Sequence, residues 1–283
     1  MSIDSPIAQS GSFVEADGGC RFRLQSQPRG RSAVGTVVFV HAFAEEMNKS
    51  RRMVARTARA LAAAGWQVVQ RDLAGCGDSA GEFGAATWDA WQADVLAEVR
   101  AAPPDLPIWL WCQRAGALLA PLALAERPDA DLLLWQPALS GSLHLQQFLR
   151  LHAGARIVGT AAGGDATPPL QRLRAGTPVE LGGYEIAPAL ASGMEASRLE
   201  PPQPWRGRAV WLELTALEPP ELSLPSSQCV AAWRERGLQV HAEALPGPAF
   251  WQTQEIEDCD ALIAKTVQLV STMAPTALRS AVA

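Results

Sequence analysis

Short runs of consecutive apolar residues alternate along this chain with longer segments in which apolar positions recur every three or four residues. Thr36-Val37-Val38-Phe39-Val40 is continuous, β-branched and aromatic, and reads as a strand buried on both faces. After it, His41 to Arg52 reads as a charged loop, and Met53, Thr57, Ala60, Leu61 and Ala64 then recur at helical spacing until Gly65 closes the helix. Trp66 to Arg71 is the next strand. Strand, helix and strand in that order predict a parallel crossover unit. Thr87 is placed to cap a helix whose Trp88, Trp91, Val95 and Val99 share one face, and Pro103-Pro104 stop it.

The same alternation carries on from there. Trp109 to Gln113 and Asp131 to Trp135 read as buried strands, as do Ala209 to Leu214 and Leu238 to Ala244, while Ile256, Ile263, Val267 and Val270 mark one face of a last helix. The polar stretch before Arg31, with Phe22 and Leu24 at alternate positions, suits an antiparallel edge hairpin. From 138 to 200 the alternation breaks into Gly-, Ala- and Pro-rich sequence. A structureless loop of that length does not fit a compact domain, so the segment is expected to be an inserted lid with helical pieces, lying between the sixth and seventh strands. The residues from Ala274 onward are expected to fray. The fold class expected is α/β, a mostly parallel central sheet flanked by helices, with residues 1–283 forming a single domain.

Composition narrows the field of functions. A charged fraction of 19% against 48% hydrophobic describes a globular chain, and a net charge of −5 argues against nucleic-acid binding while leaving room for a local cationic pocket. No basic segment followed by an apolar one opens the sequence, and no run approaches the length of a transmembrane segment, so a cytoplasmic protein is expected. Five scattered cysteines without a C-x-x-C pattern indicate neither a disulfide framework nor a structural zinc site, and no metal or cofactor is expected. Ten tryptophans against one tyrosine predict that indoles line a pocket as well as fill the core.

The chemistry concentrates at Cys112-Gln113-Arg114-Ala115-Gly116, where a buried strand turns sharply into small residues and leucines. A second motif, Asp72-x-x-Gly75-x-Gly77-x-Ser79-x-Gly81, follows an early strand, and its Asp72 and Ser79 are suited to bonding local backbone. Together with the strand order, these features resemble the α/β-hydrolase superfamily over about Thr36 to Met273, whose nucleophile sits on such a bend in the pattern G-x-S-x-G. Phe43 to Met53, Cys76-Gly77-Asp78-Ser79, the Arg-Ala-Gly bend and Gly247 to Ile256 further resemble hydrolase 2 of the exosortase A system, a family that accompanies bacterial loci for exopolysaccharide synthesis and PEP-CTERM protein sorting. That resemblance implies a hydrolase.

The triad of such enzymes is not found in these residues. Arg114 stands where the serine is due, and Pro246 to Trp251, where the histidine is due, contains none. Glu218 or Glu221 offers an acid with nothing to orient. Cys112, two positions before the apex, is expected to point into the sheet. His41 reads either as part of an anion-binding strand end, with the amides near Ala42 and Phe43, or as a loop histidine packed on the sheet rim. His241 reads as solvated, and His144 and His152 lie in the expected lid with nothing in their spacing that requires them.

Arg114 itself has two readings. Its guanidinium, with the amide of Ala115 and the start of the following helix, suits a carboxylate or phosphate; alternatively it pairs internally with Glu45 or Glu46 and holds the charged loop shut. Candidate catalytic residues are Arg114 with Glu45, Glu46 and Asp78, a carboxylate activating water and Arg114 stabilising the oxyanion. Candidate binding residues are Phe43, Asn48, Lys49, Arg51, Gln113, Ala115 and Trp251, beneath a Trp-lined lid. The expected partner is an anionic or acylated small molecule; a non-catalytic role beside another protein of the same locus and an ordinary carboxylesterase are the rival readings.

Overall fold

The computed structural model describes residues 5–157 and 167–273. In chain order the elements are β1 (Ile7–Val14), β2 (Arg21–Pro28), β3 (Thr36–Val40), α1 (Glu45–Ala63), β4 (Gln67–Arg71), α2 (Trp88–Ala101), β5 (Ile108–Gln113), α3 (Ala120–Glu126), β6 (Asp131–Trp135), α4 (Gly141–Ile157), α5 (Pro169–Arg174), β7 (Val179–Leu181), β8 (Tyr184–Ile186), α6 (Pro188–Ala196), β9 (Arg208–Thr215), α7 (Leu224–Glu235), β10 (Gln239–Pro246) and α8 (Asp260–Thr272). The main sheet has eight strands in the order β1-β2-β4-β3-β5-β6-β9-β10. β1 and β2 run antiparallel to their neighbours and the other six are parallel.

The continuous apolar runs of the central strands are explained by two cores rather than one. Side chains alternate across the sheet. Val38, Val40, Leu110, Cys112, Leu132, Leu134 and Trp211 therefore pack against α2 and α3, while Val37, Phe39, Trp109, Trp111, Leu133, Trp135, Val210 and Leu212 pack against α1 and α8. The indoles of Trp66, Trp109, Trp111, Trp135 and Trp211 are filler for these cores. Thr87 caps α2, its side chain accepting from the Ala90 amide at 3.1 Å. Thr87→Ala is expected to cost about 1 kcal/mol, measured as a fall in midpoint on chemical unfolding with unchanged slope.

The observed elements differ from the sequence reading in several places. α1 begins at Glu45, eight residues before the helix expected from Met53, so the charged segment is helix and not loop. Two acidic residues in its first turn favour that start, and Met47, Ser50, Met53, Val54 and Thr57 already give it a buried face. α7 was not anticipated, because its buried stripe is only Ser226, Val230 and Trp233. Ile256 lies outside α8 and is solvent-exposed; Thr253 turns the chain there by donating to the carbonyls of Phe250 and Glu255. Residues from Ala274 onward lie outside the described residues.

The segment expected to form a lid contains α4, α5 and α6 and also the antiparallel hairpin β7-β8, which had not been foreseen. A bridge between Ser140 and Arg198 joins its two ends. Leu145, Phe148 and Leu149 bury one face of α4 in the core on the α2 side of the sheet.

Candidate functional site

The strand order reverses at β3. The chain leaves β3 toward β4 on one side and later returns to its other side as β5, so the carboxyl ends of β3 and β5 diverge into a crevice. Ligands of open α/β sheets bind at such switch points. Three non-glycine residues with left-handed backbone line up along this edge: Ala44 (φ 50°) after β3, Arg114 (φ 51°) after β5 and Gln136 (φ 43°) after β6. Left-handed backbone at such residues costs of order 1–2 kcal/mol each and persists only where the surroundings enforce it. At Arg114 the enforcement is visible. A Cβ at Gly116 would lie 2.5 Å from the His41 carbonyl oxygen and 2.6 Å from that of Val40, so the bend packs directly on the backbone of β3.

The Arg114 side chain is 14% exposed and turns to the first turn of α1. Its Nε donates to both Glu46 oxygens at 3.1 and 3.2 Å, one terminal nitrogen donates to Oε1 at 3.0 Å, and the other donates to the Gln136 carbonyl at 3.4 Å. The guanidinium carbon also sits 5.5 Å from the ring centre of Trp251. Beneath it, Gln113 at the end of β5 donates to Ser50 Oγ at 2.8 Å, and Ser50 in turn donates to the Glu46 carbonyl at 2.6 Å. The bend is thereby laced to α1.

Above Arg114 lies a cavity of about 420 Å³, walled by Glu45, Glu46, Lys49, Trp251 and Gln252 and by one stripe of α4: His144, Gln147, Phe148 and Leu151. Lys49 reaches the Gln252 carbonyl at 3.4 Å and Glu45 at 3.7 Å. His144 is 6% exposed, and its Nε2 is buried with no hydrogen-bond partner among the described residues. Burial holds its imidazole at about 4, below the ordinary 6.5; Glu46 pulls upward and Arg114 downward. The ring is therefore neutral near pH 7.

A family model described as serine aminopeptidase, S33, matches residues 31–164. No curated protein matches the sequence. Among solved structures, Est1E from Butyrivibrio proteoclasticus with bound ferulic acid superposes with a TM-score of 0.63 at 16% identity, over 93% of this chain and 98% of that one. A thermostable carboxyl esterase from Bacillus coagulans gives 0.59 at 15% identity, over 94% and 99%. The thioesterase domain of the curacin biosynthetic pathway gives 0.53 at 17% identity, over 94% and 99%. The chain has the α/β-hydrolase fold.

Within that α/β-hydrolase fold, the bend after β5 is the place of the nucleophile, and Arg114 occupies it with the strained backbone intact. Trp251, in the loop after β10 where an imidazole would be due, instead packs on the guanidinium. Cys112 is fully buried in the sheet, and burial pushes its thiol far up, so it is inert. His41 is packed on the sheet rim: its Nδ1 lies 2.8 Å from the Ala42 carbonyl, its Nε2 accepts from the Leu73 amide at 3.3 Å, and burial pushes its pKa down. His241 is solvent-exposed, 3.3 Å from Glu243. The side chain of His152 lies outside the described residues.

Of the remaining sequence candidates, Glu45, Glu46, Lys49 and Trp251 join Arg114 around the cavity, and Gln113 and Ala115 lie buried beneath it. Phe43 is buried too, stacked edge-on against Phe148 at 5.0 Å, and supports the wall without lining it. Three candidates stand elsewhere. Asp78 is exposed, turned away by the Asp72 loop, where its amide donates to Asp72 Oδ2 at 3.0 Å. Asn48 bonds the Tyr184 hydroxyl at 2.8 Å, and Arg51 pairs with Asp72 at 3.5 Å. The expectation of a Trp-lined lid is also corrected: the segment over the cavity supplies His144, Phe148 and Leu151, and Trp251 comes from the loop after β10. Nor does a regular helix start at the bend, because Arg114–Leu119 is a 3₁₀ turn and α3 begins only at Ala120.

Gln147, Phe148, Leu151 and Gln252 were missed as lining residues. The signal for the α4 group was present, since 144, 147, 148 and 151 fall on one helical stripe.

Proposed function

We propose that the protein binds an acylated small molecule in the cavity over Arg114 without forming a covalent bond to it. The observation that carries this reading is the guanidinium at the apex, locked by Glu46 and stacked on Trp251, where acyl-transfer chemistry needs a hydroxyl backed by an imidazole. The cavity size falls in the range of small-molecule sites, and Phe148, Leu151 and Trp251 give it an apolar wall suited to an acyl chain. An esterase and a thioesterase domain among the structures of like fold, both of them acyl-handling proteins, support the ligand class. Residues 138–200 act in this proposal as the lid. The resemblance to exosortase A-associated hydrolase 2 supports a role in exopolysaccharide or envelope export, and five free cysteines support a reducing, cytosolic location.

Hydrolysis by a carboxylate-activated water is the weaker reading of the same pocket, because both oxygens of Glu46 are engaged by Arg114. A non-catalytic partner of another protein from the same locus is the second reading, favoured by that same closure of Arg114 on Glu46. A fluorophosphonate probe is expected to leave the intact mass unchanged, and p-nitrophenyl butyrate is expected to hydrolyse at the buffer rate. A covalent adduct on any residue, or turnover above that rate, would overturn the non-covalent reading.

A further inference from the structure

The two outer edges of the main sheet are guarded differently. β10 forms one of them and is charged: Glu243 pairs with Lys265 at 2.9 Å and with His241 at 3.3 Å, and the strand ends at Pro246. Charged side chains and proline keep an edge strand from pairing with another chain. β1 forms the other edge and carries neither. Its eight residues, Ile7 to Val14, are uncharged throughout and pair with β2 along their whole length on one side. Among the described residues nothing pairs with the other side, so alternate amides and carbonyls of β1 face solvent. Ser10, Gly11 and Ser12 are exposed, and Phe13 is 64% exposed although its ring lies 5.6 Å from that of Phe22. A long neutral edge with an exposed aromatic is the profile of a pairing surface.

We propose that β1 is a self-association edge, and that two copies of this chain pair their β1 strands antiparallel about a two-fold axis through Ser10. Such an axis, normal to the sheet, keeps each side chain on its own face, so alternate positions of one strand meet alternate positions of the other. Ile7 then meets Phe13 of the second copy, Ala8 meets Ser12, Gln9 meets Gly11, and Ser10 meets Ser10. The occupant is a second copy because this ladder is complementary to itself: no charge faces a charge, Gly11 leaves room for Gln9, and an aromatic–β-branched pair at each end covers Phe13. A single ladder of seven residues, about 23 Å long, is smaller than the interface of a permanent dimer. The pairing is therefore an equilibrium that fills as the protein is concentrated. β1 lies four strands from β5 in the sheet, so pairing leaves the Arg114 cavity open and does not depend on what that cavity binds.

Sedimentation equilibrium of the full chain, from low micromolar to near-millimolar protein at low salt, tests this. The wild type is expected to follow a monomer–dimer equilibrium. Ser10→Lys and Ser10→Glu change an exposed side chain, and each brings two like charges together on the axis, so each is expected to weaken dimerisation by about tenfold or more. An equimolar mixture of the two variants is expected to dimerise at least as well as the wild type, because opposite charges then face each other. That recovery also shows that both variants are folded. A wild type that stays monomeric over the whole range, a dimer that persists unchanged in both single variants, or a mixture no more dimeric than either variant alone would overturn the proposal.

Discussion

Glu46→Ala is expected to destabilise the protein by about 3 kcal/mol, the cost of leaving a largely buried guanidinium without its carboxylate. Arg114 and Glu46 are 14% and 15% exposed, and Glu46 takes three of the donor contacts that Arg114 makes. The one other acceptor among the described residues, the Gln136 carbonyl at 3.4 Å, is too distant to replace them. The effect is a property of the broken pair and not of the wild-type pair as such. The double variant Glu46→Ala with Arg114→Met is therefore expected to recover most of the loss, because methionine fills the volume against Trp251 without a charge to solvate. Urea unfolding of the four proteins of that cycle measures this. Equal losses in the single and double variants would show that Glu46 matters for packing at the first turn of α1 and not as the partner of Arg114.

The central architecture was legible because its signal is local. Runs such as Val37 to Val40 and Leu132 to Trp135 are apolar at every position, which only strands covered on both faces require. The bend at Arg114 was legible for the same reason, since Gly116 and the alanines advertise a close approach that the β3 carbonyls confirm. The internal pairing of Arg114 was one of two open readings, and only the placement of Glu46 on the first turn of α1 decides the geometry. That turn was itself hidden, because Glu45, Glu46, Lys49, Arg51 and Arg52 mask the stripe of Met47, Ser50 and Met53.

What was not legible depends on contacts between distant segments. His144 and Phe148 become cavity wall only when α4 lies across the carboxyl ends of β3 and β5, and no local pattern states that. Asp78 looked like a site acid from its neighbours in sequence. Asp72 captures its backbone and leaves its side chain in solvent.

His144 gives the second large effect, and it depends on pH. The folded protein holds this imidazole at about 4 against 6.5 for an unburied one, so between those values the unfolded chain carries a proton that the folded chain refuses. Stability from this group is complete above about pH 6.5 and falls as the pH drops toward 4. At about 1.4 kcal/mol per pH unit, the loss between pH 7.5 and 4.5 amounts to about 2–3 kcal/mol. Glu46 and Arg114 face the ring with opposite signs and are paired with each other, so burial decides the direction. His144→Gln has no proton to refuse and is expected to lose correspondingly less over the same interval. His41, also held down by burial, contributes with the same sign in both proteins and cancels from the comparison. Urea midpoints of the two proteins at the two pH values provide the measurement. If the wild type and His144→Gln lose stability in parallel on acidification, water reaches the ring in the folded state and the cavity wall at His144 is wet.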